Sequence, residues 1–280
     1  MADNPIDLDR LTEILKRAGA ETIMPSFRNL EDGAVREKSS AIDLVTEADE
    51  AAERFIKTEI DRLSSGILFV GEESTAKDRS LLDKIADADV AVIVDPIDGT
   101  SNFAAGIAMF SVMAAVTVKG EVVSAVVHDP VTGDTVRAEK GGGTYWLLAN
   151  GDSRKTRVNW PVPLDESIGI VSSTYFEPKA RSALFRRLDQ VRVVANYRNS
   201  GHEYRMLATG GCHFNLYGQV MPWDHAPGTL LVSEAGGHVA FADGEPYHPS
   251  RHHGVLVSAC SRQTHRSVTT KILGIERPLS

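Results

Sequence analysis

A nine-residue stretch that starts at Asp95, with the sequence DPIDGTSNF, contains several residues that could bind a metal ion. Pro96 fixes its own φ near the value that follows the first residue of a tight turn, and Gly99 tolerates the backbone angle that comes next. Such a turn can bring Asp95 and Asp98 to one side, with the Ile97 carbonyl between them. Carboxylate and carbonyl oxygens are the ligands that Mg²⁺ prefers, so the stretch is a candidate metal site.

The residues that follow the second aspartate offer groups for an anion. Gly99, Thr100 and Ser101 supply backbone N–H groups and two hydroxyls, which are suited to holding a phosphate. The same stretch also fits a turn that binds nothing, because Asp-Pro and Asp-Gly pairs are common turn formers. Evidence from elsewhere in the chain is therefore needed to distinguish a metal- and phosphate-binding site from a turn that binds nothing.

Two of the candidate acids follow predicted buried strands. The apolar run over 90–94 has the length of a buried strand and ends at Asp95. A shorter run over 67–70 predicts a second strand, after which Glu72 is the candidate ligand; the alternative there is a solvated turn. Ligands in layered α/β folds collect beyond the ends of strands, so we expect the two acids to approach one another.

Two further acids lie where helices are predicted to begin. Thr46 and Asp49 resemble a capping box at the start of an amphipathic helix, so capping is the alternative to a catalytic role for Asp49. Asp224 occupies a predicted N-cap, with Pro227 in the first turn and Gly236 near the helix end. Capping and metal binding are compatible for Asp224, because the outer oxygen of a capping aspartate is available to a cation.

Composition limits the kinds of partner. The 280-residue chain has a formal net charge of −8, which argues against general affinity for nucleic acid or anionic lipid. An anionic substrate remains compatible, because bound divalent cations would reverse the local sign. Cys212 and Cys260 fit no metal-binding spacing, and no run approaches the length of a membrane span. We therefore expect a cytoplasmic protein that does not bind membranes, with no signal peptide and with reduced cysteines.

The chain is predicted to have an α/β fold in two halves. The half over 1–158 is α+β, with antiparallel hairpins over 109–148, and carries most of the candidate ligands. Residues 159–163 (NWPVP) have the composition of a boundary. The half over 159–280 alternates strands and helices, and carries Asp224 with most of the region that would determine substrate specificity.

Several motifs in this order resemble the inositol monophosphatase family of Mg²⁺-dependent, lithium-sensitive phosphatases. Each motif alone is modestly specific, but the set in order is strongly specific and spans about residues 38–240. The resemblance implies a layered αβαβα sandwich, commonly a homodimer. The motifs are KSS (38–40) with DLVTEAD (43–49), GEES (71–74), DPIDGT (95–100), and WD (223–224) with EAGG (234–237).

The resemblance also implies which residues bind metal. Glu72, Asp95 and the Ile97 carbonyl would hold one Mg²⁺. Asp95, Asp98 and Asp224 would hold a second, with Asp95 bridging the two ions. Glu72 could help to hold a weaker third ion. The expected cofactor is therefore Mg²⁺, at two or three ions per site.

The catalytic and phosphate-binding roles follow from the same resemblance. Thr100, hydrogen-bonded to Asp49, would orient or activate the attacking water. The N–H groups of Gly99, Thr100 and Ser101 would hold the phosphate. Chemistry supports this assignment independently, because a metal ion lowers the pKa of bound water and the chain has no cysteine or histidine nucleophile motif. We predict Mg²⁺-dependent hydrolysis of a small phosphate monoester, with inositol monophosphate as the first candidate.

The substrate remains open. Tyr217 falls where inositol-specific members of the family usually carry a glutamate, and the expected Gly-x-Ala stretch is here Gly201 followed by His-Glu. Residues 196–221 are expected to shape the organic half of the site, with His202, Glu203 and Arg205 as candidates and a surface helix as the alternative. Histidinol phosphate, fructose 1,6-bisphosphate and 3′-phosphonucleotides are alternative substrates. A regulatory role in binding another protein is the alternative outside enzymology.

Overall fold

The structure is a computed structural model that describes residues 6–30, 33, 35–40 and 43–275. The side chains of residues 38–43, at the start of the first motif, lie outside the described part. Within that part the helices are α1 (Leu8–Ala18), α2 (Glu47–Leu63), α3 (Glu72–Lys77), α4 (Thr100–Ala104), α5 (Pro178–Arg187), α6 (Ser200–Ala208), α7 (Pro222–Glu234) and α8 (Arg262–Ser267). The strands are β1 (Val35–Ser40), β2 (Asp43–Thr46), β3 (Leu68–Gly71), β4 (Val90–Asp98), β5 (Ser111–Val118), β6 (Glu121–His128), β7 (Thr135–Glu139), β8 (Gly143–Leu147), β9 (Ser153–Lys155), β10 (Ile168–Ser172), β11 (Val193–Ala195), β12 (Phe214–Tyr217), β13 (His238–Phe241) and β14 (Leu256–Ala259).

The first large sheet has the strand order β3-β4-β5-β6-β7-β8-β9. Strands β3 and β4 are parallel, and the other neighbours are antiparallel, which confirms the predicted hairpins. Helices α1 and α2 cover one face, where Leu15, Ile56, Val94 and Val112 are buried in one apolar cluster. Full burial of such a side chain contributes about 1.5–3 kcal/mol, so this face anchors the strand that leads to the candidate site.

The second large sheet has the order β11-β10-β12-β14-β13, with β10 parallel to both of its neighbours. Helices α6 and α7 lie between the two sheets. Met113 of β5, Tyr204 of α6, Leu231 of α7 and Leu256 of β14 belong to one buried cluster, which joins these three layers.

An outer helical layer completes the fold. Leu184 of α5 and Val268, which follows α8, pack with Phe214 against the other face of the second sheet. The layers are therefore helix, sheet, helix, sheet and helix, and the predicted αβαβα sandwich is confirmed. The first sheet is built before residue 158 and the second after it, while α6 and α7 contact both. The division into halves at 158/159 stays a prediction.

Two local predictions need correction. Helix α7 begins at Pro222, so Asp224 is its third residue and not its N-cap, which is Met221. Pro222 occupies the favoured first position, and Pro227 lies in the second turn, where it removes one helical hydrogen bond. The hairpin of β1 and β2 before α2 was not predicted. In the described residues, no helix combines the length and apolar character needed to cross a membrane.

Candidate active site

Strand β4 carries two of the candidate acids into the interior. All of its residues after the first are buried, and the strand continues through Asp98, which corrects the turn predicted at Asp95. Asp95 pairs with Met113 and Asp98 with Ser111, so the strand gains one residue between them and forms a bulge. Pro96 suits this place because proline cannot donate to a regular ladder. The bulge, and not a tight turn, brings Asp95 and Asp98 to the same side.

Three carboxylates converge at this point. Asp95, Asp98 and Asp224 each offer an oxygen, and these oxygens lie within 4.8 Å of one another. The first two are buried and the third is half-buried. Like charges held this close repel one another, and a divalent cation removes that repulsion. The donor set is all oxygen, which fits Mg²⁺.

Asp98 is held by the start of α6. Its carboxylate accepts hydrogen bonds from the N–H groups of Ser200 (3.1 Å) and Gly201 (2.5 Å), and from the Ser200 hydroxyl (3.1 Å). The Asn199 side-chain amide donates to the Asp98 carbonyl (2.5 Å) and Asn199 also caps α6. Burial nevertheless raises the pKa of Asp98 to about 6, with these donors opposing the rise and Glu72 adding to it.

The residues around Asp98 do not indicate this support. Asn199 before a predicted helix was a recognisable N-cap, but nothing local indicated that the helix would begin beside residue 98. A Cβ on Gly201 would lie 2.2 Å from the Ser111 hydroxyl oxygen, so glycine allows the close approach.

Glu72 is the first residue of α3. It lines the cavity that Asp95, Asp98 and Asp224 also border. In the described part of the chain it is not a member of the group formed by those three carboxylates. The start of α3 is fixed by Glu53 of α2. The buried Glu53 carboxylate accepts the N–H groups of Glu73 (2.7 Å) and Ser74 (2.8 Å), together with the Ser74 hydroxyl. Burial raises the pKa of Glu53. Its role as a cap for another helix could not be foreseen from its position within an amphipathic pattern.

Asp49 forms the predicted helix cap and also contacts Thr100. One oxygen accepts the backbone N–H (2.8 Å) and hydroxyl (2.5 Å) of Thr46, which forms the predicted capping box. The other oxygen lies 3.1 Å from the Thr100 hydroxyl, which is also 3.0 Å from the Ile97 carbonyl. Capping therefore fixes the carboxylate that contacts Thr100. Gly99 adopts φ +89°, which lets the chain pass directly from β4 into α4.

These residues border one cavity of about 670 Å³. The predicted site residues on its wall are Glu72, Asp95, Ile97, Asp98, Gly99, Thr100, Ser101 and Asp224. Asp49 is fully buried behind Thr100. The structure thus places every predicted site residue at or directly behind a single cavity, whereas their individual roles stay predictions.

Only some of the candidate specificity residues line the cavity. Glu203 lines the cavity, as does Tyr217. Arg205 does not, because its guanidinium pairs with Asp129 and Asp134, each at 3.2 Å. His202 lies 3.2 Å from the Phe110 carbonyl and is also turned away from the cavity. The proposals for His202 and Arg205 are therefore wrong; both residues belong to the packing of α6 against the first sheet.

An α/β sandwich with clustered carboxylates beside a hydroxyl–carboxylate pair is suited to metal-assisted hydrolysis of an anionic ester. Residues 7–275 match the inositol monophosphatase family. The fructose-1,6-bisphosphatase/inositol-1-monophosphatase of Thermotoga maritima is 30% identical over 239 residues, which cover 85% of this chain and 86% of that protein. Nus factor SuhB of Vibrio cholerae is 31% identical over 256 residues, 88% of each chain. The solved Thermotoga maritima IMPase has a TM-score of 0.80 at 26% identity, covering 95% of this chain and 96% of that one.

The chain belongs to the inositol monophosphatase family. This confirms the resemblance drawn from its motifs and the family type of its fold. It also confirms the predicted enzyme class, a phosphoric monoester hydrolase, since relatives matched over most of the chain are named as phosphatases.

Proposed function

We propose that the protein hydrolyses a small phosphate monoester, most naturally inositol monophosphate, using water activated by Mg²⁺. The observation that carries this proposal is the convergence of three carboxylates on the cavity that also contains Thr100 and its partner Asp49. The names of relatives from Thermotoga maritima and Bacillus subtilis, which include inositol-1-monophosphatase, support the choice of substrate.

Asp95, Asp98 and Asp224 would hold the metal ions, with Glu72 and the Ile97 carbonyl as further ligands for two or three Mg²⁺. When bound, the cations supply a water of lowered pKa and neutralise charge on the phosphate. The protein's own contribution is to hold four acids and one carbonyl at a single wall, through the β4 bulge and the starts of α3, α6 and α7.

The Asp49–Thr100 pair would orient the attacking water. When the Thr100 hydroxyl donates a hydrogen bond to Asp49, its oxygen keeps lone pairs that can accept a hydrogen bond from water. The backbone N–H groups of Gly99, Thr100 and Ser101 would hold the phosphate, because the first N–H groups of a helix have no carbonyl within that helix to bind.

The test is phosphate release by the purified chain with inositol 1-phosphate, histidinol phosphate, fructose 1,6-bisphosphate and 3′-phosphoadenosine 5′-phosphate, with Mg²⁺, with EDTA and with lithium. We expect one ester to be far ahead of the others and its hydrolysis to be lost with EDTA. Asp95→Asn should abolish turnover and weaken Mg²⁺ binding in calorimetry while the circular dichroism spectrum is kept. The matched control is Asp61→Asn, which removes an exposed carboxylate paired with Lys57 and should change neither measurement.

Mg²⁺-dependent turnover at the wild-type rate in Asp95→Asn would refute the site. Feeble hydrolysis of every ester by the wild type, with intact Mg²⁺ binding, would leave the metal site standing and refute this choice of substrates.

A regulatory role in binding another protein is the second candidate, because a relative covering 88% of the chain is named Nus factor SuhB. Capture of the same large partner by the wild type and by Asp95→Asn would favour it, whereas no capture would count against it. We also propose a homodimer located in the cytoplasm. Light scattering of the purified chain tests the homodimer, and fractionation of the source cells tests the location.

A further inference from the structure

His225 is a buried titratable side chain to which the proposed chemistry assigns no part. It follows Asp224 in α7, borders the cavity and is 2% exposed. Its Nε2 lies 2.9 Å from the carbonyl oxygen of Gln219, and its Nδ1 lies 3.0 Å from the hydroxyl of Tyr204. Both ring nitrogens therefore have partners within the protein, so the ring is held in place and neither nitrogen is left to serve a substrate as acid or base.

The partners of the ring determine its tautomer. A carbonyl oxygen only accepts hydrogen bonds, so Nε2 carries the proton that is donated to Gln219. Nδ1 of the neutral ring is then an acceptor, and the Tyr204 hydroxyl donates to it. Tyr204 belongs to α6 and is fully buried. Two hydrogen bonds thus connect α6, through His225 in the first turn of α7, to the loop before that helix.

The first turn of α7 depends on support from outside the helix. Its N-cap is Met221, and within the described residues no side chain caps it. Pro227 lies inside the helix and has no N–H group to donate, so one helical hydrogen bond is missing. The hydroxyl of Ser200, the first residue of α6, lies 2.9 Å from the Asp224 carbonyl oxygen. Helix α6 therefore supplies contacts that the start of α7 does not make for itself.

The same two helices carry or hold two of the candidate metal ligands. The Ser200 hydroxyl that contacts the Asp224 carbonyl also lies 3.1 Å from the Asp98 carboxylate. One turn further along each helix, a Cβ on Gly228 would overlap the Tyr204 ring, so glycine lets the ring lie directly against α7. The position of α6 against α7 therefore sets the position of Asp224 relative to Asp98.

We propose that the hydrogen bond from Tyr204 to His225 positions Asp224 at the spacing from Asp98 that a metal ion needs. Both are positioning residues, because they act through Asp224. A carboxylate that is already held at this spacing does not have to be ordered by the cation, and the cost of ordering it would weaken binding. This inference rests on the proposed function, since it takes Asp224 as a Mg²⁺ ligand, and it deepens that function.

The experiment measures the dissociation constant of Mg²⁺ by calorimetry, without substrate, for the wild type and for Tyr204→Phe. This variant keeps the buried ring and removes only the hydroxyl that donates to His225. We expect Mg²⁺ to bind about tenfold more weakly, as is usual when a group that orients a metal ligand is lost. Turnover should need a higher Mg²⁺ concentration, while saturating Mg²⁺ should restore most of kcat and leave KM for the ester unchanged.

Substitutions at His225 separate the hydrogen bond from the packing of the ring. His225→Asn places a side-chain oxygen near the position of Nδ1, where it can accept from Tyr204, whereas His225→Leu fills a similar volume without an acceptor. We therefore expect His225→Asn to bind Mg²⁺ more tightly than His225→Leu. Tyr204→Phe combined with His225→Leu should weaken binding by less than the product of the single effects, because both changes remove the same hydrogen bond.

Tyr247→Phe is the matched control. Within the described part of the chain, the Tyr247 hydroxyl is also buried but has no hydrogen-bond partner, and Tyr247 is not among the residues that border the cavity. Loss of this hydroxyl should leave the dissociation constant of Mg²⁺ unchanged.

The outcomes separate this inference from the proposed function. Absence of Mg²⁺ binding by the wild type refutes the metal site on which the proposed function depends. An unchanged dissociation constant in Tyr204→Phe and His225→Leu, even with lowered urea midpoints, overturns the inference and leaves the metal site standing. Multiplicative losses in the double variant also overturn it, because the two side chains would then act independently. If Tyr204→Phe does not fold, equal Mg²⁺ affinity of His225→Asn and His225→Leu is the refuting result.

Discussion

Glu53 connects the stability of the protein to its candidate metal site, and Glu53→Gln should weaken both. The wild-type carboxylate accepts the N–H groups of Glu73 and Ser74 with separate oxygens, at 2.7 and 2.8 Å. Glutamine keeps one oxygen and turns an NH₂ group toward the other donor. One buried N–H group then has no acceptor, which costs about 1–3 kcal/mol of the free energy of unfolding. Urea unfolding followed by circular dichroism measures this difference.

The difference should also depend on pH, with a sign that the burial of Glu53 determines. Burial raises its pKa in the folded protein above the ordinary value of 4.5. The folded wild type therefore binds more protons than the unfolded chain between 4.5 and the raised value, and its stability falls as pH rises through that window. The variant has no such group. We expect the advantage of the wild type to be largest below pH 4.5, to fall as pH rises through the window, and to be smaller but constant above the raised pKa.

The functional consequence follows through Glu72, the first residue of the helix that Glu53 caps. If Glu72 binds metal as proposed, Glu53→Gln should raise the Mg²⁺ concentration needed for half-maximal activity, and saturating Mg²⁺ should restore most of the turnover. Asp61→Asn, on the exposed side of the same helix, should change stability by less than about 1 kcal/mol. Equal stability of Glu53→Gln and the wild type, or an advantage that grows with pH, would refute the reasoning.

Three other substitutions test separate parts of the structure. Thr100→Ala should lower kcat much more than it weakens Mg²⁺ binding in calorimetry, while Thr100→Ser retains activity; a collapse of metal binding would contradict the role assigned to the hydroxyl. Gly228→Ala should destabilise the protein by about 1–3 kcal/mol in urea, because its Cβ would lie 2.0 Å from the Tyr204 ring; an unchanged midpoint would show that α6 and α7 can separate without cost. Arg205→Met should cost about 1–3 kcal/mol, because buried Asp129 loses its guanidinium partner but keeps the donors of Val131 and Thr132, with Mg²⁺ affinity unchanged. A normal denaturation midpoint together with weakened Mg²⁺ binding would instead place Arg205 at the site.

The sequence was informative where a site residue is fixed by its own segment. Asp95 follows the apolar run over 90–94 within β4, and Asp49 stands in a capping box that the structure contains. Glu72 similarly follows a short strand and begins the next helix. In each case the backbone nearby determines where the carboxylate lies, so periodicity and turn chemistry were sufficient to indicate it.

The hydrogen bonds that hold these residues in place could not be predicted, because many of them come from distant parts of the chain. Three of the groups that bind the Asp98 carboxylate, at the start of α6, are more than 100 residues away in sequence. Glu53 caps a helix that begins 19 positions after it, with its side chain in an amphipathic pattern that indicates only a helix. No local signal distinguishes such an acid from its exposed neighbours, since its partners exist only once the layers have packed.

The packing of helix α6 between the two sheets explains why the substrate-binding residues of the site were the least predictable. Spacing along α6 decides which side chain faces the cavity: Glu203 does, whereas His202 and Arg205 pack toward the first sheet. That choice depends on where the helix starts, and its start is set by Asp98 through Ser200. The same hydrogen bonds that hold a candidate metal ligand therefore set the register of the candidate specificity residue. A substitution at Ser200 should consequently disturb metal binding and substrate preference together, whereas Tyr217→Phe should disturb preference alone.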